Sequence, residues 1–167
     1  MTVSYRKATA AKLGYYTSEL EDGSVNSLSG LEPGAQWWLG GFGSCALAST
    51  FGIRSGTRLD QAGIETLGYL ADGFRPGSAP RSSLVRNAGS ERRVALHDFT
   101  LSAPKSVSVA WALANDELRA AMEAAHIHAA QAFLSVMSNQ IHCRLGASGR
   151  LRSPCPAVGV LFPHHTS

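Results

Sequence analysis

Hydrophobic and polar positions change their period along the chain, and each period predicts a different element. Residues alternate from Val94 to Leu101, which predicts a strand with Asp98 on the same side as Leu96 and Thr100. From Pro104 onward the apolar residues recur at helical spacing. The predicted buried stripe of this helix consists of Val107, Ala110, Trp111 and Ala114.

Three further segments have periodic patterns. A short amphipathic helix is predicted from its cap Asp60 to a stop at Gly73, with an apolar stripe of Ile64, Leu67 and Ala71. A long helix is predicted to begin near Asn115 or Asp116. Its apolar stripe is predicted to be Leu118, Met122, Ala125, Ala129, Phe133 and Val136.

The two ends of the chain have simpler patterns. Residues 1–16 predict a short strand followed by an Ala-rich helical turn that carries Tyr15 and Tyr16. The sequence RLGASGRL, residues 144–151, predicts a hairpin turn, and a short apolar strand is predicted before the terminal histidines.

Two stretches lack a sustained period. Residues 17–36 are polar and Gly-rich and predict a loop. Residues 74–93 combine Pro, Gly, Ser and Arg and predict a flexible, basic connection. Its arginines, from Arg75 to Arg93, fit either a path along a DNA backbone or an ordinary solvated loop.

Composition narrows the class of protein. A chain of 167 residues with 44% hydrophobic residues is expected to fold as a single domain over 1–167. The net charge is +3, and 12 of the 15 basic residues are arginines, which favour bidentate pairing with phosphates or carboxylates. The spacing of Cys45, Cys143 and Cys155 favours neither a disulfide scaffold nor a zinc site. Without a membrane span or signal peptide, we expect a cytoplasmic protein.

The junction between the predicted strand and helix carries candidate chemistry. Pro104 suits the first helical position, so Ser102, Lys105 and Ser106 cluster at a helix N-terminus. Backbone N–H groups and the positive end of the helix dipole favour an anion there, and a phosphate fits. A capped helix with a surface lysine explains the same residues.

The junction sequence DFTLSAPKSVSVAWAL, residues 98–113, resembles the most recognisable motif of the TrwC/TraI-type (MobF) conjugative relaxases. The resemblance continues on both sides of it. GYYT at residues 14–17 resembles the family's N-terminal tyrosine pair, and WWLGGFGSCAL resembles a Gly-rich segment of the family. FPHHTS, residues 162–167, resembles the start of the family's metal-binding region.

The resemblance implies a mixed α/β (α+β) fold of the HUH endonuclease type, with a central antiparallel sheet flanked by helices. It implies a partner, single-stranded DNA at an origin of transfer, together with accessory conjugation proteins. Tyr15 corresponds to the nucleophile that forms a 5′-phosphotyrosine, and Tyr16 completes the pair. Asp98 corresponds to the active-site carboxylate, which either takes the tyrosine proton or orients a metal-binding histidine.

The resemblance also implies a divalent metal, Mg²⁺ or Mn²⁺, held by three histidines, of which His164 corresponds to the first. Lys105 becomes a candidate phosphate contact, with Ser102 and Ser106 beside it. The family continues with a His-x-His pair that this sequence does not include, so we expect an N-terminal portion of a relaxase domain, C-terminally incomplete and without a helicase domain. No second tyrosine follows within Thr17–Gln36, which argues against a two-tyrosine strand-transfer cycle.

Two alternatives to a nicking enzyme stay open. A truncated, catalytically inactive remnant would bind single-stranded DNA without cleaving it. An unrelated metal-dependent hydrolase or a structural module would use the serine-rich helix start only as a cap.

Aromatic and histidine residues outside the motif have ordinary explanations. Trp37 and Trp38 are expected to fill a core, with stacking on unpaired bases as the alternative. On the long helix, His126 is expected to be partly buried and His128 exposed, and neither is assigned to a metal.

Overall fold

The computed structural model describes residues 1–16, 34–146 and 148–163. A 3-10 turn, Ala10–Lys12, and helical residues 13–16 follow the first strand, as the sequence predicts. In chain order the strands and helices are β1 (Thr2–Ala8), β2 (Gln36–Gly40), α1 (Ser44–Phe51), α2 (Gln61–Asp72), β3 (Leu96–Ser102), α3 (Lys105–Leu113), α4 (Asp116–Ser138), β4 (His142–Leu145), β5 (Leu151–Pro154) and β6 (Ala157–Leu161).

The strands pair as β1 with β3, β2 with β6, and β4 with β5. The β4–β5 pair is antiparallel and closes the hairpin predicted from RLGASGRL, with Leu145 opposite Leu151. In the β1–β3 pair, the N–H of Ala95 donates to Ala8 O while Arg6 contacts Asp98, an antiparallel arrangement. The predicted mixed α/β class with antiparallel strands and helices is confirmed. None of the described helices is both long enough and apolar enough to cross a membrane.

Contacts divide the chain into two compact units. The first unit contains Met1–Val3, Trp37–Thr57 and Leu101–Leu161. The second unit contains Ser4–Gln36, Arg58–Thr100 and Phe162–Ser167. Each unit therefore combines segments that are distant in sequence.

The second unit contains α2, whose two ends follow the predicted capping pattern. The Asp60 carboxylate accepts a hydrogen bond from the N–H of Gly63 at 2.8 Å, and Gly73 adopts a left-handed conformation at the C-cap. The basic segment after Gly73 is irregular, but it is tied to this helix end. Gly89 N–H donates to Asp72 O, Arg93 donates to Ala71 O, and the Arg81 guanidinium lies over the Tyr69 ring.

The first unit buries both adjacent tryptophans of β2. Trp37 is 5% exposed and Trp38 is 7% exposed, although neighbouring strand residues point to opposite faces. β2 is therefore covered on both sides, and the core interpretation of the two tryptophans is confirmed. A tight turn at residues 41–43 then leads into α1, with Gly41 and Gly43 at positive φ.

Helices α3 and α4 begin where predicted to within one residue. Pro104 is the N-cap of α3, with Lys105 as its first helical residue, and the Asn115 side chain caps α4 by accepting from Leu118 N–H. The predicted stripes are wrong in part. Val107, Ala110, Leu118, Ala125 and Val136 are exposed.

The covered line of α4 runs instead through Ala130 and Ser138, both buried. Between the two helices, Trp111 donates its indole N–H to Glu123, and the Arg119 guanidinium lies over the Trp111 ring. Ala130 follows the predicted stripe residue Ala129 by one position, so the most buried face of α4 is displaced from the predicted stripe.

Candidate functional site

The second unit joins Asp98 of β3 to Arg6 of β1. Pairing of the two strands brings the Arg6 Nε atom to 2.8 Å from Asp98 Oδ2. The Asp98 side chain is only 15% exposed, whereas Arg6 is 64% exposed. The carboxylate therefore lies on the covered side of the strand with a cation that reaches it from the surface.

Tyr16 adds a second donor to the same carboxylate oxygen. Its hydroxyl donates to Asp98 Oδ2 at 2.6 Å, and its ring lies 5.7 Å from the Phe162 ring, centroid to centroid. The hydrogen bond to Asp98 raises the pKa of Tyr16. Burial and the negative charge of Asp98 raise the pKa further, while the positive charge of Arg6 lowers it. The Tyr16 hydroxyl is therefore held in its protonated form.

Tyr15 has a different environment from its neighbour. Its side chain is 66% exposed, and its ring meets the Tyr16 ring edge to face with centroids 5.5 Å apart. The two adjacent tyrosines thus have different environments. Tyr16 is partly buried against the Asp98 carboxylate, and Tyr15 is exposed to solvent.

Arg6 is the member of this cluster that sequence reasoning missed. Its charge and its place on a strand are visible in the sequence, but the β1–β3 register that sets it opposite Asp98 joins residues 92 positions apart. Sequence reasoning also missed a contact between Tyr5 and His97, in which the Tyr5 hydroxyl lies 2.8 Å from His97 Nδ1. The Tyr5 ring stacks on the His97 ring with centroids 5.8 Å apart.

The N-terminal end of α3, in the first unit, presents Ser102, Lys105 and Ser106 as exposed side chains. Pro104 occupies the N-cap, and none of the described side chains caps this helix. The capping interpretation of the two serines is therefore wrong. The phosphate-contact interpretation stays a prediction.

The predicted metal ligand His164 lies outside the described residues. Across the three described ranges, no group of three or more His, Cys, Asp or Glu side chains could hold a metal ion. The described residues thus do not assemble a metal site. His126 is partly buried, within 3.1 Å of Leu101 O, and His128 is exposed, as predicted.

Comparisons with known proteins agree on one family. Residues 2–167 match the family model described as TrwC relaxase. A metal-bound conjugative relaxase TrwC in complex with oriT DNA is 25% identical, with a TM-score of 0.68, over 99% of this chain and 52% of that chain. A copper-bound conjugative relaxase TrwC in complex with oriT DNA is 24% identical, with a TM-score of 0.64, over 98% and 51%.

The chain therefore spans about half the length of these solved relaxase chains. A search of curated proteins finds no significant match.

Proposed function

The chain belongs to the TrwC relaxase family, and from that premise we propose that it nicks single-stranded origin-of-transfer DNA through Tyr15, forming a 5′-phosphotyrosine. The observation that carries the proposal is the difference in environment between the two adjacent tyrosines. Tyr16 is engaged on Asp98, and Tyr15 is exposed beside it. Membership of the family also removes the alternative of an unrelated hydrolase.

The proposed reaction is a transesterification at one phosphodiester of the DNA. The Tyr15 hydroxyl oxygen attacks the scissile phosphorus, an Oη–P bond forms, and the bond between phosphorus and the 3′ oxygen breaks. The proton of the tyrosine ends on the departing 3′ oxygen, which leaves as a hydroxyl. The bond energy stays in the phosphotyrosine and is available for rejoining.

Asp98, Arg6 and Tyr16 act in this proposal as positioning residues. The carboxylate of Asp98 is shared between the Arg6 guanidinium and the Tyr16 hydroxyl, which ties the helical turn of residues 13–16 to β1 and β3. Tyr15 is the neighbour of Tyr16 in the chain, and its ring packs edge-on against the Tyr16 ring. The hydrogen bond of Tyr16 with Asp98 therefore restricts the position of the Tyr15 side chain.

The metal and phosphate contacts complete the proposal. The solved relaxases are metal-bound, which supports a divalent cofactor for this family member, and His164 is the residue proposed to contribute to its site. The exposed group Ser102, Lys105 and Ser106 is proposed to contact phosphate. We propose a cytoplasmic location for this DNA processing.

The test compares two matched tyrosine variants. Purified chain is incubated with single-stranded oriT oligonucleotides and Mg²⁺ or Mn²⁺, and covalent adducts are detected by denaturing gel and mass spectrometry. Tyr15→Phe is expected to abolish the adduct. Tyr16→Phe removes the same atom one residue away and is expected to retain adduct formation at a rate about 10-fold to 100-fold lower, because positioning is loosened.

Three outcomes count against the proposal. An adduct that survives in Tyr15→Phe and disappears in Tyr16→Phe would move the nucleophile to Tyr16. Salt-sensitive DNA binding without any adduct would support the remnant that only binds DNA. If neither an adduct nor DNA binding is detected, the chain would belong to the family but lack this activity.

A further inference from the structure

The β4–β5 hairpin places two arginines directly opposite each other. Arg144 of β4 pairs with Arg152 of β5, and His142 pairs with Pro154 two positions further along. Directly opposed residues of an antiparallel pair share one face, with Cβ atoms about 4.5–5.5 Å apart. His142, Arg144 and Arg152 therefore lie on one face of the hairpin, with Leu145 and Leu151 on the other.

This face forms a polar groove of about 250 Å³, lined by Gln140, His142, Arg144 and Arg152. His142 is held in place at its edge, because Nδ1 donates to Gln140 O at 2.9 Å. Both arginines are exposed. The groove thus contains hydrogen-bond donors that solvent and larger ligands can reach.

Within residues 1–16, 34–146 and 148–163, no carboxylate forms an ion pair with these two arginines. The last acidic residue of the sequence is Glu123, so the hairpin itself carries none. Like charges directly opposite on a sheet are unfavourable, so the folded hairpin retains a repulsion that a bound anion would relieve.

We infer that this groove binds a backbone phosphate of DNA. The inference rests on the proposed function, since it adds a DNA contact to the proposed nicking domain. A guanidinium presents parallel N–H groups that match two phosphate oxygens, and two opposed guanidinium groups can hold one phosphate from both sides. The contact is noncovalent and independent of base sequence.

The first experiment measures oligonucleotide affinity as a function of salt, using the Tyr15→Phe background to prevent cleavage. Arg144→Gln/Arg152→Gln is expected to weaken binding about tenfold or more, because hydrogen bonds between charged groups are lost. Because the two arginines hold one phosphate of a single strand in this inference, the slope of log affinity against log salt is expected to fall by about 0.7.

Arg54→Gln/Arg150→Gln is the matched control, since it removes two exposed arginines outside the groove. It is expected to change the affinity and the slope much less. An equal loss in the control and the groove variant would overturn the inference, because net charge alone would then explain both.

A second variant separates binding from folding. Arg152→Glu places a carboxylate opposite Arg144 and replaces repulsion with attraction across the hairpin. We expect the melting temperature to stay equal or rise while DNA affinity falls at least as far as in Arg144→Gln/Arg152→Gln. Unchanged affinity in a folded Arg152→Glu protein would contradict a phosphate site here.

Inorganic phosphate distinguishes this inference from the proposed function. In NMR spectra, the Nε–H signals of Arg144 and Arg152 are expected to shift with added phosphate more than those of Arg54 and Arg150. If the chain binds no oligonucleotide but these signals shift, the proposed function fails and the phosphate site stands as a site for a free anion. If oligonucleotides bind and the signals do not shift, the groove inference fails and the proposed function stands.

Discussion

Asp98 holds two donors on a single carboxylate oxygen. Arg6 and Tyr16 both contact Oδ2, at 2.8 and 2.6 Å, and come from β1 and from the helical turn that follows it. A carboxylate used in this way fixes geometry, because moving it breaks two charge-assisted hydrogen bonds at once. In the proposed reaction, this arrangement favours a positioning role for Asp98 over removal of the proton of Tyr15, the proposed nucleophile.

The titration of Tyr16 tests this arrangement. Because Asp98 raises the pKa of Tyr16 and Arg6 lowers it, Asp98→Asn is expected to lower that pKa and Arg6→Gln to raise it further. NMR of ¹³C-labelled tyrosine rings measures each pKa directly. Shifts of the same sign in both variants would show that these two contacts do not control the Tyr16 hydroxyl.

The same raised pKa predicts how stability depends on pH. The folded state favours protonated Tyr16, so this contribution is fully present below the usual tyrosine pKa of 10.0 and is lost as pH rises through the higher folded-state value. The free energy of unfolding is measured for the wild-type chain and Asp98→Asn from neutral to alkaline pH. The difference between the two proteins is expected to be largest near neutral pH.

Cys155 offers a second titration at the residue scale. Burial and a hydrogen bond with the Cys143 thiol raise the pKa of Cys155 to about 11. Since the thiolate is the reactive form, we expect an alkylating reagent at about pH 9 to modify Cys155 more slowly than exposed Cys45. Peptide mass spectrometry over a time course measures both rates, and equal rates would refute the shielded environment of Cys155.

At the scale of elements, the turn between β2 and α1 depends on glycine. Gly41 has a φ of +80°, and a Cβ built on it would lie 2.9 Å from Cys155 O and 3.3 Å from Ser138 O. Two features therefore require glycine at position 41: the left-handed backbone conformation and the close approach to two carbonyl groups.

Gly41→Ala is expected to lower the free energy of unfolding more than Gly56→Ala. Gly56 has a φ of +81°, but a Cβ added there would meet no atom of the described residues within 4 Å. Gly56→Ala therefore isolates the backbone cost of about 1–2 kcal/mol. Crowding at Gly41 adds about 1–3 kcal/mol. Urea denaturation of both variants gives the difference, and similar values would show that the carbonyl contacts are easily relieved.

Elements with strong local signals could be predicted from the sequence. The caps Asp60, Gly73 and Asn115 mark helix ends because their hydrogen bonds and dihedral angles involve only neighbouring residues. The stripe of α4 could not be predicted fully. Which face of α4 is covered depends on packing against other elements, and contacts such as that of Trp111 in α3 with Glu123 in α4 leave no local pattern.

At the scale of the whole molecule, the site shows the same limit. The junction motif pointed to Asp98 and the sequence GYYT to the tyrosine pair as candidates, but the contact of Tyr16 with Asp98 depends on how the turn at residues 13–16 meets β3. Arg6 could not be predicted, because strand pairing across a long sequence separation leaves no local pattern.

The positive charge of the chain is unevenly divided. The first unit has six basic and three acidic side chains, and the second has nine of each, so the net charge of +3 belongs entirely to the first unit. Arg144, Arg150 and Arg152 supply half of the basic residues of that unit. For the proposed DNA substrate, long-range electrostatic attraction is therefore expected to act mainly on the unit that carries the hairpin.

The burial of Trp37 and Trp38 has a spectroscopic consequence. These two residues and Trp111 are all the tryptophans of the chain, and all belong to the first unit. Intrinsic tryptophan emission therefore reports on the first unit alone, whereas NMR ring signals of ¹³C-labelled tyrosines report on the second unit, which contains all four tyrosines. Heating the chain while both signals are recorded would reveal separately when each unit loses its structure.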